Sequence, residues 1–140
     1  MADTFQLEIV TPEKAVVREA ATEAQIPGKK GYLGILPGHA PLITELAVGE
    51  ISYKRPGGGE EHLAVAWGFA EVLPNKVIIL AETAERAADI DVARAEEQRK
   101  RAEERLRSLD PDTDFERARV ALERAIVRIQ VATRRSSSSD

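Results

Sequence analysis

The sequence predicts an α+β protein in which an N-terminal antiparallel β-sandwich precedes a C-terminal antiparallel helical hairpin. All nine glycines lie between Gly28 and Gly68, and the chain after Glu85 has no glycine and only Pro111. Glycine and proline are common in turns but interrupt helices, so this asymmetry indicates a β unit followed by a helical unit. We therefore divide the chain into a β-sandwich at 1–86, a helical hairpin at 87–135 and a disordered tail at 136–140.

The first half contains short segments in which apolar and polar side chains alternate. Phe5, Leu7 and Ile9 alternate with polar neighbours, and the same period returns at Ile51 and Tyr53. A period of two residues is typical of a strand with one buried face. Both segments are therefore predicted to be half-buried strands.

Two further segments complete the predicted β unit. Residues 54–61 contain a glycine triplet and are predicted to form a hairpin connection to a strand at 62–67. Residues 77–80 are apolar at every position, which places this segment inside a two-sheet core. Strands at intervals of about 8 to 12 residues indicate a sandwich or a flattened barrel.

The second half follows a helical period. Apolar or small residues recur every three or four positions in residues 92–109 and again in 115–132, so each segment has one helical face. Pro111 and its flanking aspartates end the first helix, and residues 113–116 are predicted to be a capping box that begins the second. So short a connection predicts an antiparallel hairpin. The first face is mostly alanine and, at roughly 25 cal/mol per Å² buried, packs weakly enough to open.

Composition excludes several classes of function. The chain has 24 acidic and 20 basic residues, and this acidic balance does not favour nucleic-acid binding. It has no cysteine, which excludes disulfides and thiolate chemistry. Apolar stretches are shorter than the roughly 20 residues of a membrane span, and the N-terminus does not resemble a signal peptide. We expect a soluble, unexported protein that reaches a membrane only through partners.

Catalytic motifs are missing from the sequence. It contains no phosphate-binding loop of the Walker type, no dinucleotide fingerprint and no nucleophile elbow. His39 and His62 are the two histidines, and they would need carboxylates to bind a metal. The simpler expectation is that His39 packs in a proline-bounded loop and His62 lies on a strand face. We therefore expect no catalytic residue and no metal site.

Charged side chains form a stripe across the two predicted helices. Its members are Asp91, Arg94, Arg101, Arg124 and Arg128. Arginine forks bind phosphate oxygens, and a carboxylate accepts from a base amino group or a sugar hydroxyl, so the stripe is able to hold a nucleotide. Alternatively, Asp91 favours the start of a helix, and the arginines pair with glutamates such as Glu97 and Glu104.

Two segments resemble the epsilon subunit of bacterial-type rotary, or F-type, ATP synthases. One is Ile90-Asp91-Val92-Ala93-Arg94-Ala95, and the other is the glycine- and proline-rich segment 31–42. The resemblance covers residues 3 to about 134. It implies ATP as a regulatory ligand, with no cofactor required. The ATP-binding residues that it implies are Glu85, Ile90, Asp91, Arg94, Ala95, Arg101, Arg124 and Arg128.

The resemblance also implies protein partners. The β-sandwich would bind the gamma subunit and the proteolipid ring, with Tyr32 and His39 as partner-binding residues in the loop at 31–44. Many members of the family have an acidic residue where this chain has Tyr32, so the resemblance does not extend to a salt bridge from this position to the ring. An aromatic side chain is still able to anchor such a contact. The alternative is that the loop is a turn that only covers the core.

The arginine-rich second helix, at 115–135, is by default a solvated face. The resemblance implies instead that it meets an acidic segment of the catalytic beta subunit and blocks rotation. The implied function is that of a non-catalytic central-stalk subunit, monomeric when isolated, on the cytoplasmic face of the bacterial membrane. It would couple rotor to catalytic head and inhibit ATP hydrolysis through a hairpin that folds or extends. Two alternatives are a nucleic-acid-binding module with a basic hairpin and a small hydrolase or metal enzyme.

Overall fold

A computed structural model of the chain describes the backbone of residues 3–138 and the side chains of residues 3–134. The chain forms two compact units that divide between Arg86 and Ala87. The first unit is built from β-strands and the second from helices. The predicted fold class, an antiparallel β-sandwich followed by a helical hairpin, is confirmed.

Eight strands form the first unit. They are β1 (Phe5–Val10), β2 (Ala15–Ala21), β3 (Glu23–Gly28), β4 (Gly31–Ile35), β5 (Leu42–Leu46), β6 (Gly49–Lys54), β7 (Glu60–Val72) and β8 (Lys76–Arg86). Their hydrogen-bonded order is β2-β1-β8-β7-β5-β3-β4, and β6 pairs with both β3 and β7. Strands β1 and β8, the first and last of the unit in sequence, pair in parallel, while the other pairings are antiparallel.

The core of the β unit follows the period of two that the sequence shows. Phe5, Leu7 and Ile9 on β1 are buried, as are Ile51 and Tyr53 on β6. The predicted hairpin joins β6 to β7, and its glycine triplet lies between the two strands. Backbone φ angles of 98° and 93° at its second and third glycines lie in a region that side chains disfavour, which explains the triplet.

The prediction that residues 77–80 lie inside a two-sheet core is wrong for one side of the strand. Val77 and Ile79 are fully buried, but Leu80 is 56% exposed. Its partner across the ladder is Phe69 on β7, which is 54% exposed. Alternate side chains of a strand point to opposite faces, so a wholly apolar run also places apolar residues on the outer face.

The second unit is an antiparallel helical hairpin. A short 3₁₀ turn at Ala87–Asp89 precedes α1 (Val92–Leu106), and α2 spans Phe115–Ser138. The two helices pack through alanines that are at most 2% exposed: Ala95 and Ala102 on α1, and Ala118 and Ala125 on α2. Small side chains on both helices allow a close approach but bury little apolar area, as the sequence predicted.

The ends of the helices differ from the prediction. Helix α1 ends at Leu106 rather than at the proline, and Leu109 is 98% exposed. Helix α2 is capped by Asp114, whose Oδ1 accepts from the Arg117 N–H at 3.0 Å. The cap therefore lies one residue later than the capping box predicted at 113–116, and Thr113 instead donates its hydroxyl to Ser108 Oγ at 3.1 Å.

The C-terminal end of α2 also differs from the expectation. The helix continues to Ser138, although a disordered tail was expected from residue 136. Residues 136–138 are all serines, and because this segment contains neither glycine nor proline, no residue in it forces the helix to end. Residues 139 and 140 of the expected tail lie outside the described residues. Within the described part of the chain, neither helix is long and apolar enough to cross a membrane.

Candidate functional site

The segment Ile90 to Ala95 forms the start of α1, and most of its residues have structural roles. Asp91 is the N-cap, and its Oδ1 accepts from the Arg94 N–H at 3.1 Å. Ile90 is 8% exposed and Ala95 is fully buried. Asp91 and Arg94 are the charged residues of this segment, and both are exposed.

Arg101 lies two turns further along α1 and forms a surface ion pair. Its Nη2 donates to Glu97 Oε1 at 2.7 Å, with both side chains more than 60% exposed. Exposed pairs of this kind contribute about 0–1 kcal/mol to stability. The structure thus gives Arg101 the glutamate partner that the alternative interpretation of the stripe predicted.

Arg124 and Arg128 lie one turn apart on α2 and are half-buried. Arg128 Nη1 donates to Gln98 Oε1 on α1 at 2.8 Å, which links the two helices. Sequence analysis missed Gln98, because an uncharged amide on a predominantly charged helix carries no pattern of its own. Its position one turn after Arg94 is the signal that places it on the same face.

The structure therefore brings part of the predicted stripe together. Arg128 reaches α1 through Gln98, and Arg124 lies on α2 one turn before it. The Asp91 carboxylate is bonded within its own helix. Glu85, the remaining member of the predicted set, is the next-to-last residue of β8 and pairs in register with Ala64. Glu85 therefore belongs to the first unit, whereas the other predicted ATP-binding residues belong to the second.

The predicted partner-binding loop has an apolar, exposed surface. Tyr32 and Leu36 are each 60% exposed, and Ile43 at the start of β5 is 70% exposed. His39 is half-buried, and its Nδ1 lies 2.7 Å from the carbonyl oxygen of Ala40. Leu36 and Ile43 were not predicted as surface residues, because each directly follows another apolar residue and the period of two is lost there.

Tyr32 has an internal partner besides its exposed ring. Its hydroxyl accepts a hydrogen bond from the backbone N–H of Glu50 on β6, at 2.9 Å. Tyr32 is therefore both a surface residue and part of the internal hydrogen bonding of the sandwich.

A charged network lies at the C-terminal end of β6. Arg55 donates from Nε to Glu19 at 2.8 Å and from Nη1 to Glu61 at 2.9 Å, and Tyr53 donates its hydroxyl to Glu19. The hydrogen bond from Arg55 lowers the pKa of Glu19 below its usual value. Burial, together with the bond to Glu19, raises the pKa of Tyr53 to about 12. Arg86, the last residue of β8, extends the network to Glu61 at 3.7 Å.

The histidines occupy polar surroundings of two kinds. His62 lies on β7, with its Nδ1 3.3 Å from a Glu50 carboxylate oxygen, whereas His39 is in the exposed loop. His62 thus takes the expected place on a strand face. Among the described residues, no group of three or more histidine, aspartate or glutamate side chains is arranged to hold a metal ion.

Comparison with known proteins connects both units to one family. The family model described as the beta-sandwich domain of the ATP synthase delta/epsilon chain matches residues 4–87. The model described as the long alpha-helix domain of the same chain matches residues 88–133. Together the two matches cover both units with the same order and nearly the same boundary.

Curated relatives agree with the family models. An ATP synthase epsilon chain of Koribacter versatilis is 67% identical over 112 residues, which is 80% of this chain and 78% of that one. An ATP synthase epsilon chain of Moorella thermoacetica is 49% identical over 92% of this chain and 96% of its own length.

A solved structure of lower identity shares the fold. A chain in the Euglena gracilis mitochondrial ATP synthase (OSCP/F1/c-ring) superposes with a TM-score of 0.78 at 22% identity, covering 88% of this chain and 78% of that chain. The β-sandwich and helical hairpin thus define the class of ATP synthase delta/epsilon chains, and within it the chain belongs to the family of F-type ATP synthase epsilon subunits. The resemblance noted in the sequence is confirmed.

Proposed function

We propose that the chain is a non-catalytic subunit of the central stalk of a proton-translocating ATP synthase. It couples the rotor to the catalytic head and inhibits ATP hydrolysis when its helical hairpin extends. The observation that carries this proposal is the two-unit organisation, in which the matches to the family's β-sandwich and helical domains meet within two residues of the division of the chain. A solved chain that superposes on it with a TM-score of 0.78 comes from an assembly that contains a c-ring.

The β-sandwich is the unit that we propose binds the gamma subunit and the proteolipid ring. Tyr32 on β4 and Leu36 directly after that strand are exposed, half-buried His39 follows them, and aromatic side chains are enriched in protein interfaces. Attachment through these partners places the chain peripherally on the cytoplasmic face of the membrane. The isolated chain is proposed to be a monomer.

Helix α2 is the segment that we propose contacts the beta subunit. Its first turns carry Arg117, which is exposed, and Arg119, which pairs with Glu116 and Glu123 at 2.6 and 3.2 Å. Such exposed pairs exchange partners at little cost. The nucleic-acid alternative is not favoured, because several arginines of the hairpin already pair with glutamates of the same helix.

ATP is proposed to bind the folded hairpin as a regulatory ligand. Arg124 and Arg128 on α2 and Arg94 on α1 would hold the phosphates, with Gln98 and Asp91 as polar neighbours. The Arg128 to Gln98 bond at 2.8 Å supports this proposal, because it brings a guanidinium of α2 against α1 in the paired hairpin. A ligand that binds the folded form alone stabilises it by about 2.7 kcal/mol at 100 times its dissociation constant.

The test is a titration of the full chain with ATP, ADP and GTP while a distance probe reports the separation of α1 and α2. ATP is expected to hold the helices together and raise their melting temperature. Arg124→Ala should weaken ATP binding about tenfold or more, the effect of losing a charge-assisted hydrogen bond. Arg117→Ala is the matched control, since it removes an exposed arginine of the same helix outside the stripe. Unchanged distance and stability at millimolar ATP would exclude the nucleotide role.

A further inference from the structure

The ladder between β3 and β6 stops beside Pro27. The two strands pair from Glu23 to Gln25 on β3, and continuing that register would set Pro27 opposite Glu50. Proline has no N–H to donate, and the Pro27 carbonyl already accepts from the Ala47 N–H at 2.9 Å. At this point of β6 the Glu50 N–H donates to a side chain rather than to β3.

Tyr32, which lies on a third strand, supplies the acceptor for the Glu50 N–H. It lies on β4 in register with Pro27, so its side chain reaches across β3 to accept from the Glu50 N–H at 2.9 Å. Gly49 leaves the space for this reach. A Cβ added at Gly49 would lie 2.6 Å from Pro27 Cβ and 2.7 Å from the Tyr32 hydroxyl oxygen, which is too close for either.

Strand β4 is an edge strand. Among the residues that the structure describes, it is the last strand in the order and pairs only with β3. The hydroxyl of Tyr32 adds a second attachment, to β6, directly before the loop that carries Leu36 and His39. We call Tyr32, Pro27, Gly49 and the Glu50 N–H the Tyr32 strap.

We propose that Tyr32 is a positioning residue for the loop at 36–41, between β4 and β5, and that its hydroxyl fixes this loop before any partner binds. This inference rests on the proposed binding of that loop to the rotor. A loop held in its bound orientation loses less conformational freedom on association, so the strap strengthens binding without contacting the partner through its hydroxyl.

Two variants separate positioning from contact. Tyr32→Phe removes only the hydroxyl and keeps the ring, whereas Leu36→Ala shortens an exposed side chain that has no part in the strap. Amide hydrogen exchange of the full chain would report the Glu50 N–H and residues 31–42. Binding of the same chains to ATP synthase depleted of this subunit would report the rotor contact.

Tyr32→Phe is expected to speed exchange at Glu50 and across the loop, and to weaken binding by roughly two- to tenfold, the effect of one hydrogen bond. Leu36→Ala is expected to weaken binding with exchange unchanged. Unchanged exchange in Tyr32→Phe would overturn the strap. Faster exchange with normal binding, while Leu36→Ala binds weakly, would overturn the positioning role alone. Normal binding of both variants would overturn the proposed rotor contact and this inference with it.

Discussion

At the scale of single residues, Arg55 is the centre of a network of charged side chains in the sandwich. This side chain bonds Glu19 and Glu61, and its guanidinium carbon lies 5.9 Å from the centre of the Tyr53 ring. Tyr53 is 1% exposed, so its hydroxyl needs the partner that Glu19 provides. A buried tyrosine bonded to a carboxylate is costly to ionise, because its phenolate would lose solvent and face a negative charge.

This arrangement predicts a loss of stability at alkaline pH. The pKa of Tyr53 rises to about 12 in the folded chain, whereas in the unfolded chain it returns to about 10. Between these two values the folded state retains a proton that the unfolded state releases, so the free energy of unfolding falls as pH rises. Denaturant unfolding from pH 8 to pH 12 should show this decline in wild type but less of it in Tyr53→Phe. Equal pH dependence in the two chains would contradict the assignment.

The alternation of apolar and polar residues predicted which strand faces are buried, but it did not identify the apolar side chains that lie on exposed faces. The alternation at Phe5, Leu7 and Ile9 was sufficient because polar neighbours mark the outer face. Around Leu80 no polar neighbour marks it, so the sequence alone does not show that this side chain points outward. The Tyr32 hydrogen bond was missed for a different reason, since it joins residues 18 positions apart through a gap in the ladder.

At the scale of elements, the N-terminus of α1 combines two roles in Asp91. Its carboxylate caps the helix through the Arg94 N–H, and the same group belongs to the proposed nucleotide site. Capping requires a side-chain oxygen of suitable reach, whereas recognition of a base amino group or a sugar hydroxyl was assigned to the charge of the carboxylate. The two roles are therefore separable by substitution.

Asp91→Ser should keep the cap and lose the nucleotide interaction. Serine caps helices about as well as aspartate, while Asp91→Ala should destabilise the helix by about 0.5–2 kcal/mol. Circular dichroism melting without ATP should distinguish alanine from serine, and the shift of the melting temperature on adding ATP should be reduced in both. A full ATP shift in Asp91→Ser would show that Asp91 serves the helix alone.

Helix boundaries were less predictable than helix existence. The period of three and four residues indicated both helices, but the cap of α2 depends on which of Thr113 and Asp114 bonds the helix and which bonds the connection. Both are good capping residues, so sequence preference alone does not decide between them. Similarly, the charged residues of the stripe lie on the two predicted helices, but no sequence pattern indicated that Gln98 on α1 accepts a hydrogen bond from Arg128 on α2.

At the scale of the whole molecule, the buried core belongs to the first unit. The large cluster of buried residues runs from Phe5 to Ala81, entirely before the division after Arg86. The end of β8 is anchored within that unit, because Arg86 Nη2 donates to the Val16 carbonyl at 3.0 Å and Nη1 lies 3.7 Å from Glu61. The sandwich therefore contains what it needs to fold by itself.

Truncation after residue 86 should leave a folded sandwich that still binds the proposed gamma partner but no longer inhibits ATP hydrolysis. Truncation after residue 80 is the matched control, because it removes buried Ala81 and the Arg86 anchor and should lower the melting temperature markedly. Thermal melting of both chains, and ATPase assays of the complex assembled with the longer one, test the two parts separately. An unfolded 1–86 chain would refute the independence of the sandwich. Full inhibition by a folded 1–86 chain would assign inhibition to the sandwich instead of the hairpin, because no helix then remains to block rotation.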